Sequence, residues 1–160
     1  MRKHQPSPKI GDSTIDEWDT DWSHLKGGLR QRHHDLDGLL GLYRFTLNGQ
    51  DVFIGTGIDI KDGIPKRLYD FYRPSDSGRD HHAGQLIYRH RDQLEVQVLI
   101  VGTDREAQRI ARQLRKAMVE RHRPAWNAPV PVRTKKAVKP SSKPRHLDPT
   151  AEARAAGLVV

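Results

Sequence analysis

Apolar residues recur at every second position on both sides of Asn48-Gly49, and this period is typical of β-strands. The dipeptide itself favours a two-residue hairpin turn, because both turn positions need a positive φ, which Asn and Gly tolerate. The alternating apolar residues are Tyr43, Phe45 and Leu47 before the turn and Val52 and Ile54 after it. The pattern therefore predicts a β-hairpin that carries aromatic residues on both strands.

Further along the chain, the hydrophobic period indicates one more strand and three helices. Residues 94–101 alternate and then become fully apolar, as in a central strand. From Thr103 to Pro124 the apolar positions follow helical spacing. Thr103 is the predicted N-cap of this helix, and Glu106 would complete a capping box with it. The two shorter predicted helices are residues 67–73 and 82–90.

The first 38 residues are polar and are interrupted by Pro and Gly, which predicts an N-terminal arm, residues 1–38. Within this arm we expect Ser13 to cap a short acidic helical turn. Trp18 and Trp22 are four residues apart and would share one face of such a turn. We expect them to clamp the arm onto the domain, and base stacking is the alternative.

Composition excludes several classes of protein. The chain of 160 residues has no cysteine, which excludes a disulfide scaffold, a thiol nucleophile and a thiolate zinc site. No apolar run approaches the roughly 20 residues that a membrane span needs. Residues 1–10 lack the apolar centre of a secretory signal. We expect a cytoplasmic protein, with association to the nucleoid as an option, and no membrane partner.

The formal net charge is +8, and the basic surplus lies in the centre and at the C-terminal end. Such a surplus favours a polyanionic partner, while solubility alone is the alternative explanation. Residues 129–160 contain many prolines and basic residues and are predicted to form a disordered basic tail. The residues predicted to contact nucleic acid are Arg109, Arg112, Lys116, Arg121, Lys135 and Lys136.

An ordered set of short motifs resembles the GIY-YIG nuclease superfamily. The matching segments, in order, are Gly41-Leu42-Tyr43, Phe53-Ile54-Gly55, Arg67-Leu68, His82 with Gln85-Leu86, residues 94–101 and Pro124-Ala125-Trp126-Asn127. The stretch after His82 is similar to phage intron homing endonucleases, and the last segment is similar to the excinuclease repair subunit. The resemblance covers residues 39–128. It implies a small α/β (α+β) domain with a three-stranded antiparallel sheet flanked by helices.

The resemblance also implies a chemistry. In active members of the family, two tyrosines flank the attacking water, an arginine stabilises the transition state, and a histidine or tyrosine one turn later assists proton transfer. A glutamate on the last helix binds one divalent metal ion, and an asparagine closes the site. By this resemblance the catalytic candidates are Tyr43, Arg67, His82 and Asn127. The cofactor would be Mg²⁺ or Mn²⁺ if the site is active.

Three positions depart from the family pattern. Phe53 stands where the second signature tyrosine is expected, and it has no hydroxyl. Phe71 follows Arg67 by one helical turn and can move no proton. Arg115 stands about a dozen residues before Asn127, where the metal-binding glutamate is expected; a cation there repels a divalent ion and attracts a phosphate.

Three hypotheses remain open at this point. The first is a GIY-YIG-like domain that binds nucleic acid, with DNA as the expected form, and in which cleavage is weak or lost. The second is an active metal-dependent endonuclease with a rearranged site, in which His82 or Tyr72 transfers the proton and another carboxylate binds the metal. The third is a non-catalytic structural subunit of a nucleoprotein or phage assembly, with a protein partner bound through the terminal arms.

Overall fold

The computed structural model describes residues 8–73 and 82–127. The strands are β1 (Lys9–Ile10), β2 (Ser13–Thr14), β3 (Ser23–His24), β4 (Leu40–Leu47), β5 (Gln50–Gly57) and β6 (Glu95–Gly102). The helices are α1 (Ile15–Asp19), α2 (Ile64–Tyr72), α3 (His82–His90) and α4 (Arg105–His122), with short 3-10 helices at Gly28–Arg30 and His34–Leu36. The predicted tail at residues 129–160, with Lys135 and Lys136, lies outside the described residues.

The main sheet has four strands in the order β3-β6-β4-β5, and every neighbouring pair is antiparallel. The predicted α/β class is confirmed, but the prediction of three strands is wrong. The additional strand β3 comes from the N-terminal segment, where Ser23 pairs with Val98 and His24 with Gln97 of β6. A strand of two residues is too short to show an alternating pattern, so the hydrophobic period did not reveal it.

Strands β4 and β5 form the predicted hairpin. The φ angles of Asn48 and Gly49 are 51° and 80°, as the turn requires. The pairing shifts by one residue between Phe45 and Thr46, which leaves Val52 as an extra residue in β5. Because of this bulge, Val52 packs in the same buried cluster as Phe45.

Helix α4 begins one residue later than predicted. Its N-cap is Asp104, whose side chain accepts a hydrogen bond from the backbone N–H of Ala107 at 2.9 Å. The predicted capping box of Thr103 and Glu106 is therefore wrong, and Glu106 binds Arg109 instead. Threonine and aspartate are both good N-caps, so residue type alone did not decide between the adjacent positions.

The other helices follow the same local rules. Thr14, and not Ser13, caps α1, and it forms a capping box with Glu17. Helix α2 begins at Ile64, earlier than predicted, because Pro65 fits the first helical turn, where its missing N–H is not needed. Helix α3 has the predicted bounds. No helix in the described ranges is long and apolar enough to span a membrane.

The sheet separates two buried clusters. Helices α2 and α3 cover one face, and α4 covers the other. The cluster under α2 and α3 includes Tyr43, Phe45, Leu68, Phe71, Ile87 and Val96. The cluster under α4 includes Leu42, Ile54, Leu99, Ala111, Leu114 and Met118. Residues of opposite faces alternate along β4, as the period of a strand with two covered faces requires.

Both N-terminal tryptophans pack against the cluster under α4. The indole N–H of Trp18 donates to the carbonyl oxygen of Ile10 at 2.8 Å, and that of Trp22 donates to Asp19 Oδ1 at 2.9 Å. The guanidinium carbon of Arg44 lies 4.4 Å from the centre of the Trp22 ring. These contacts attach the N-terminal segment to the sheet, as the clamping role predicts.

Candidate nucleic-acid interface

Tyr43 is almost completely buried, and it lies on β4, which is paired with β5 on one side and with β6 on the other. Its partner across the hairpin is Gly55, and its ring lies directly against the Gly55 backbone. A Cβ atom at Gly55 would lie 2.5 Å from Cζ and 2.8 Å from Cε2 of the tyrosine. Position 55 must therefore be glycine as long as the phenol occupies this place.

Three charged groups act on the Tyr43 hydroxyl. Burial raises the pKa of Tyr43 to about 12, while the charge of Arg67 and a hydrogen bond with it, together with the charge of Arg115, oppose this rise. The charge of Asp70 raises the pKa further. The phenol is therefore neutral at neutral pH. Arg67 therefore contacts the hydroxyl directly, whereas Arg115, on the helix that covers the opposite face of the sheet, acts on it through its charge.

Asp70 was not among the candidate site residues. It follows Arg67 by three positions, so both side chains lie on neighbouring parts of the α2 surface. This spacing was a signal in the sequence that could have identified it. Its carboxylate is the acidic group that acts on Tyr43, and it has intermediate exposure.

Phe71 and Phe53 have packing roles. The rings of Tyr43, Phe45, Phe53 and Phe71 form one cluster, with centroids 5.2–6.1 Å apart. Phe53 is directly opposite Phe45 in the hairpin, a cross-strand aromatic pair. Phe71 lies under the guanidinium of Arg67, whose Cζ is 5.1 Å from the ring centre. Phe71 therefore supports Arg67 beside Tyr43 by a cation–π contact.

A cavity of about 400 Å³ lies beside Arg67. Its lining residues are Thr56, Gly57, Ile58, Asp59, Gly63, Lys66, Arg67 and Asp70. Asp59 accepts hydrogen bonds from the backbone N–H groups of Asp62 and Lys61, and these bonds hold the pKa of its carboxyl below the usual value. Asp59 therefore stabilises the turn that follows it. Lys66 lies 3.7 Å from Asp59 and 3.6 Å from Asp62.

The side chain of Asn127 hydrogen-bonds to the backbone of strand β5. Its Oδ1 accepts a hydrogen bond from the Ile54 N–H, and its Nδ2 donates to the Ile54 carbonyl, each at 2.8 Å. The backbone N–H of Trp126 donates to the carbonyl of Val52 at 2.8 Å. The segment after α4 therefore pairs with the outer edge of the sheet. Asn127 closes the edge of β5 rather than capping α4.

The basic residues of α4 divide into two groups. Arg109 binds Glu106, and Arg121 binds Asp16 and lies 3.5 Å from Asp19. These two cations are engaged by carboxylates within the protein. They are therefore the weaker candidates for phosphate contacts among the predicted α4 residues.

The second group on α4 is Arg112, Arg115 and Lys116. All three are exposed, and their i, i+3 and i+4 spacing places them on one face of the helix. Gln108, one turn before Arg112, donates to the carbonyl of Ile58 at 2.7 Å. Because Ile58 lines the cavity beside Arg67, this face of α4 begins next to that cavity.

The two alternative residues for proton transfer are His82 and Tyr72. His82 is exposed at the first position of α3, whereas Tyr43 is buried on β4. The Tyr72 ring is 5.7 Å from the guanidinium carbon of Arg91. Tyr72 follows Arg67 by five positions, and 500° of helical rotation places it away from the Arg67 flank of α2.

The residues around Tyr43 do not fit a divalent metal ion. Within residues 8–73 and 82–127, no group of three or more His, Cys, Asp or Glu side chains could hold a metal. Mg²⁺ needs several oxygen ligands, whereas this site offers Asp70 together with Arg67 and Arg115. By sequence, Glu106 and Glu120 lie off the helix face where the missing glutamate is expected, which leaves Asp59, Asp62 and Glu95 as candidates to replace it. Of these, Asp59 and Asp62 pair with Lys66.

Comparisons with protein-family models, with curated proteins and with solved structures found no match to this chain. The geometry of the Tyr43 site and the chemistry of its residues are therefore the basis for a function.

Proposed function

We propose that this protein binds the phosphodiester backbone of nucleic acid, with DNA as the first candidate, and does not cleave it. The observation that carries the proposal is Arg67, which hydrogen-bonds to the buried Tyr43 hydroxyl and lines an open cavity, while the charge of Arg115, exposed on α4, acts on the same hydroxyl. Arginine is well suited to phosphate, because its planar guanidinium donates two parallel hydrogen bonds to the oxygens. Arg67 occupies the wall of an open cavity that a phosphate can enter.

The tyrosine hydroxyl positions Arg67 at this site. Since Arg67 has only donors, the hydroxyl oxygen is the acceptor in their hydrogen bond. Tyr43 is almost completely buried and is not among the residues that line the cavity, so it holds Arg67 in place and leaves the phosphate contact to the arginine. The pKa of about 12 keeps the phenol protonated across the physiological pH range.

The same groups argue against hydrolysis. Cleavage of a phosphodiester needs a group that takes the proton of the attacking water and help for the leaving oxygen. At pH 7, a phenol with a pKa of about 12 is ionised in only about one molecule in 10⁵. Phe53 and Phe71 have no proton to exchange, and the site does not fit a metal ion. The two arginines can stabilise negative charge, which supports phosphate binding. They do not accept the proton of the attacking water or help the leaving oxygen to depart.

The resemblance to the GIY-YIG superfamily fits this proposal. Both signature segments lie on one antiparallel hairpin, with Tyr43 opposite Gly55. We infer that the domain descends from a nuclease of this type and that Arg115 replaced its metal-binding carboxylate. The replacement exchanges a carboxylate that binds a metal ion for a guanidinium that binds phosphate.

The first test measures binding of a labelled DNA duplex by fluorescence anisotropy over a range of salt concentrations. We expect affinity to fall steeply with salt, because phosphate contacts release counterions. Arg67→Gln and Arg115→Gln should each weaken binding several-fold and lower the salt slope by about one. Arg105→Gln is the matched control, because Arg105 is also an exposed arginine of α4, at its first position. Binding that does not change with salt, or equal losses in all three variants, would contradict the proposal.

The second test incubates supercoiled plasmid with the protein and Mg²⁺ or Mn²⁺. We expect the plasmid to remain intact. Metal-dependent nicking that disappears in Arg67→Ala would overturn the loss of cleavage and support the active endonuclease. A stoichiometric protein partner, together with salt-independent behaviour, would instead support the structural subunit.

A further inference from the structure

A second group of planar side chains lies on α2, on the flank away from Arg67. Two arginines lie near the ring of Tyr69: its centre is 5.6 Å from the guanidinium carbon of Arg32 and 5.3 Å from that of Arg73. Tyr69 follows Arg67 by two positions, so the two side chains are 200° apart around the helix. This group is thus separate from the Tyr43 site.

The pattern continues onto α3. The guanidinium carbon of Arg91 lies 4.0 Å from the ring centre of Tyr88 and 5.7 Å from that of Tyr72. Arg91 Nη1 also donates to the carbonyl oxygen of Tyr88 at 2.8 Å, which fixes the guanidinium above the ring. Arg91, just after α3, therefore joins Tyr88 of α3 to Tyr72 of α2.

These residues form one surface, because Tyr69, Tyr72 and Arg73 have the i, i+3 and i+4 spacing of a single helix face. We name it the arginine–tyrosine ladder, and its members are Arg32, Tyr69, Tyr72, Arg73, Tyr88 and Arg91. Every member is exposed or partly exposed. The three tyrosines have intermediate burial, so each is partly accessible to a ligand, and Tyr72 also packs against the cluster under α2 and α3.

The three arginines of the ladder are held by rings and not by acids. Within the described residues, no carboxylate lies at ion-pair distance from Arg32, Arg73 or Arg91; the neighbouring pair is Arg30 with Asp92. Their charge is therefore not neutralised by the part of the chain that the structure describes. A cation over an aromatic ring keeps its N–H edge free for an anion.

We propose that the arginine–tyrosine ladder binds unpaired bases of a single-stranded nucleic acid by stacking. Tyrosine rings and guanidinium planes both stack on bases, and the arginine edges neutralise the accompanying phosphates. A duplex hides its base faces, so the ladder favours single strands and the unpaired part of a junction. The inference rests on the proposed function and adds a preference for strands with unpaired bases.

The experiment separates stacking from charge. It compares a labelled thymidylate oligomer of about 16 nucleotides with an abasic oligomer of the same length, which has the same phosphates and no bases. We expect the wild-type protein to bind the thymidylate oligomer about tenfold more tightly than the abasic one. Tyr69→Leu should remove most of this difference and leave duplex binding unchanged. Arg73→Gln is the second variant, and Arg105→Gln is the control outside the ladder.

Thermal unfolding of each variant verifies that it is folded before binding is measured. Equal wild-type affinity for the two oligomers, or undiminished thymidylate binding in both ladder variants, overturns the inference. If duplex binding still depends on Arg67 in that case, the proposed function is supported and only the inference about the ladder is wrong. If the wild-type protein binds neither duplex nor oligomer, both fail together.

Discussion

The side-chain amide of Asn127 forms two hydrogen bonds of 2.8 Å with the backbone of Ile54, one to its N–H and one to its carbonyl. It therefore acts as a short additional strand at the outer edge of β5. This contact joins the segment after α4 to the hairpin that carries Tyr43. It also blocks an edge at which another strand could otherwise pair.

Asn127→Ala should destabilise the protein by about 1–3 kcal/mol, because two partly buried backbone groups of Ile54 lose their partners. Denaturant unfolding, followed by circular dichroism, measures this change. Gln113→Ala is the matched control, because Gln113 is an exposed amide on α4. Equal stability of the Asn127 variant and the control would show that the edge contact contributes little.

Gly55→Ala should destabilise the fold by about 1–3 kcal/mol, because the new Cβ overlaps the ring of Tyr43. A double-mutant cycle with Tyr43→Ala identifies the cause. In the background without the ring, the same alanine at position 55 should cost much less. Additive effects of the two substitutions would place the strain elsewhere in β5.

The titration of Tyr43 should be visible at high pH. Because its pKa in the folded state is about 12 and the ordinary value is 10.0, its neutral form stabilises the folded protein below pH 10. This contribution, about 3 kcal/mol, should be lost as the pH rises from 10 towards 12. In a pH titration followed by phenolate absorbance, the Tyr43→Phe variant should lack the step at the highest pH. Arg67→Gln should move that step to still higher pH, since it removes a cation and a hydrogen bond that favour the phenolate.

The N-terminal segment should detach in acid. Burial opposes ionisation of Asp19, but hydrogen bonds from His122 and Trp22 hold the pKa of its carboxyl below the usual 3.8. Since a lowered pKa stabilises the fold above the unfolded value, this contribution is lost as the pH falls below about 4. Trp22 fluorescence reports the change, because its indole donates to the same carboxylate.

Asp19→Asn should weaken this acid-dependent change, while Asp21→Asn, at an exposed neighbouring position, should leave it intact. The same acid transition in wild-type and Asp19→Asn proteins would show that another group controls the attachment. Trp18→Phe and Trp126→Phe in the background of both variants assign the signal to Trp22.

The hairpin, the central strand and the long helix could be predicted from the sequence, because each depends on local chemistry. Asn48-Gly49 sets the turn by its own backbone preferences. The apolar period of α4 indicates which side faces the sheet before any partner is known. The absence of cysteine and the basic surplus are equally independent of the fold.

Other features were decided only by tertiary structure, because they join residues that are distant in the chain. Strand β3 exists through its pairing with β6, and two residues alone show no pattern. The side-chain amide of Asn127 hydrogen-bonds to Ile54, which lies 73 positions earlier in the chain. Arg115 and Arg67 lie on helices that cover different faces of the sheet, and the charges of both act on the Tyr43 hydroxyl. A charge pattern in the sequence indicates a cation, but the fold determines which groups that cation faces.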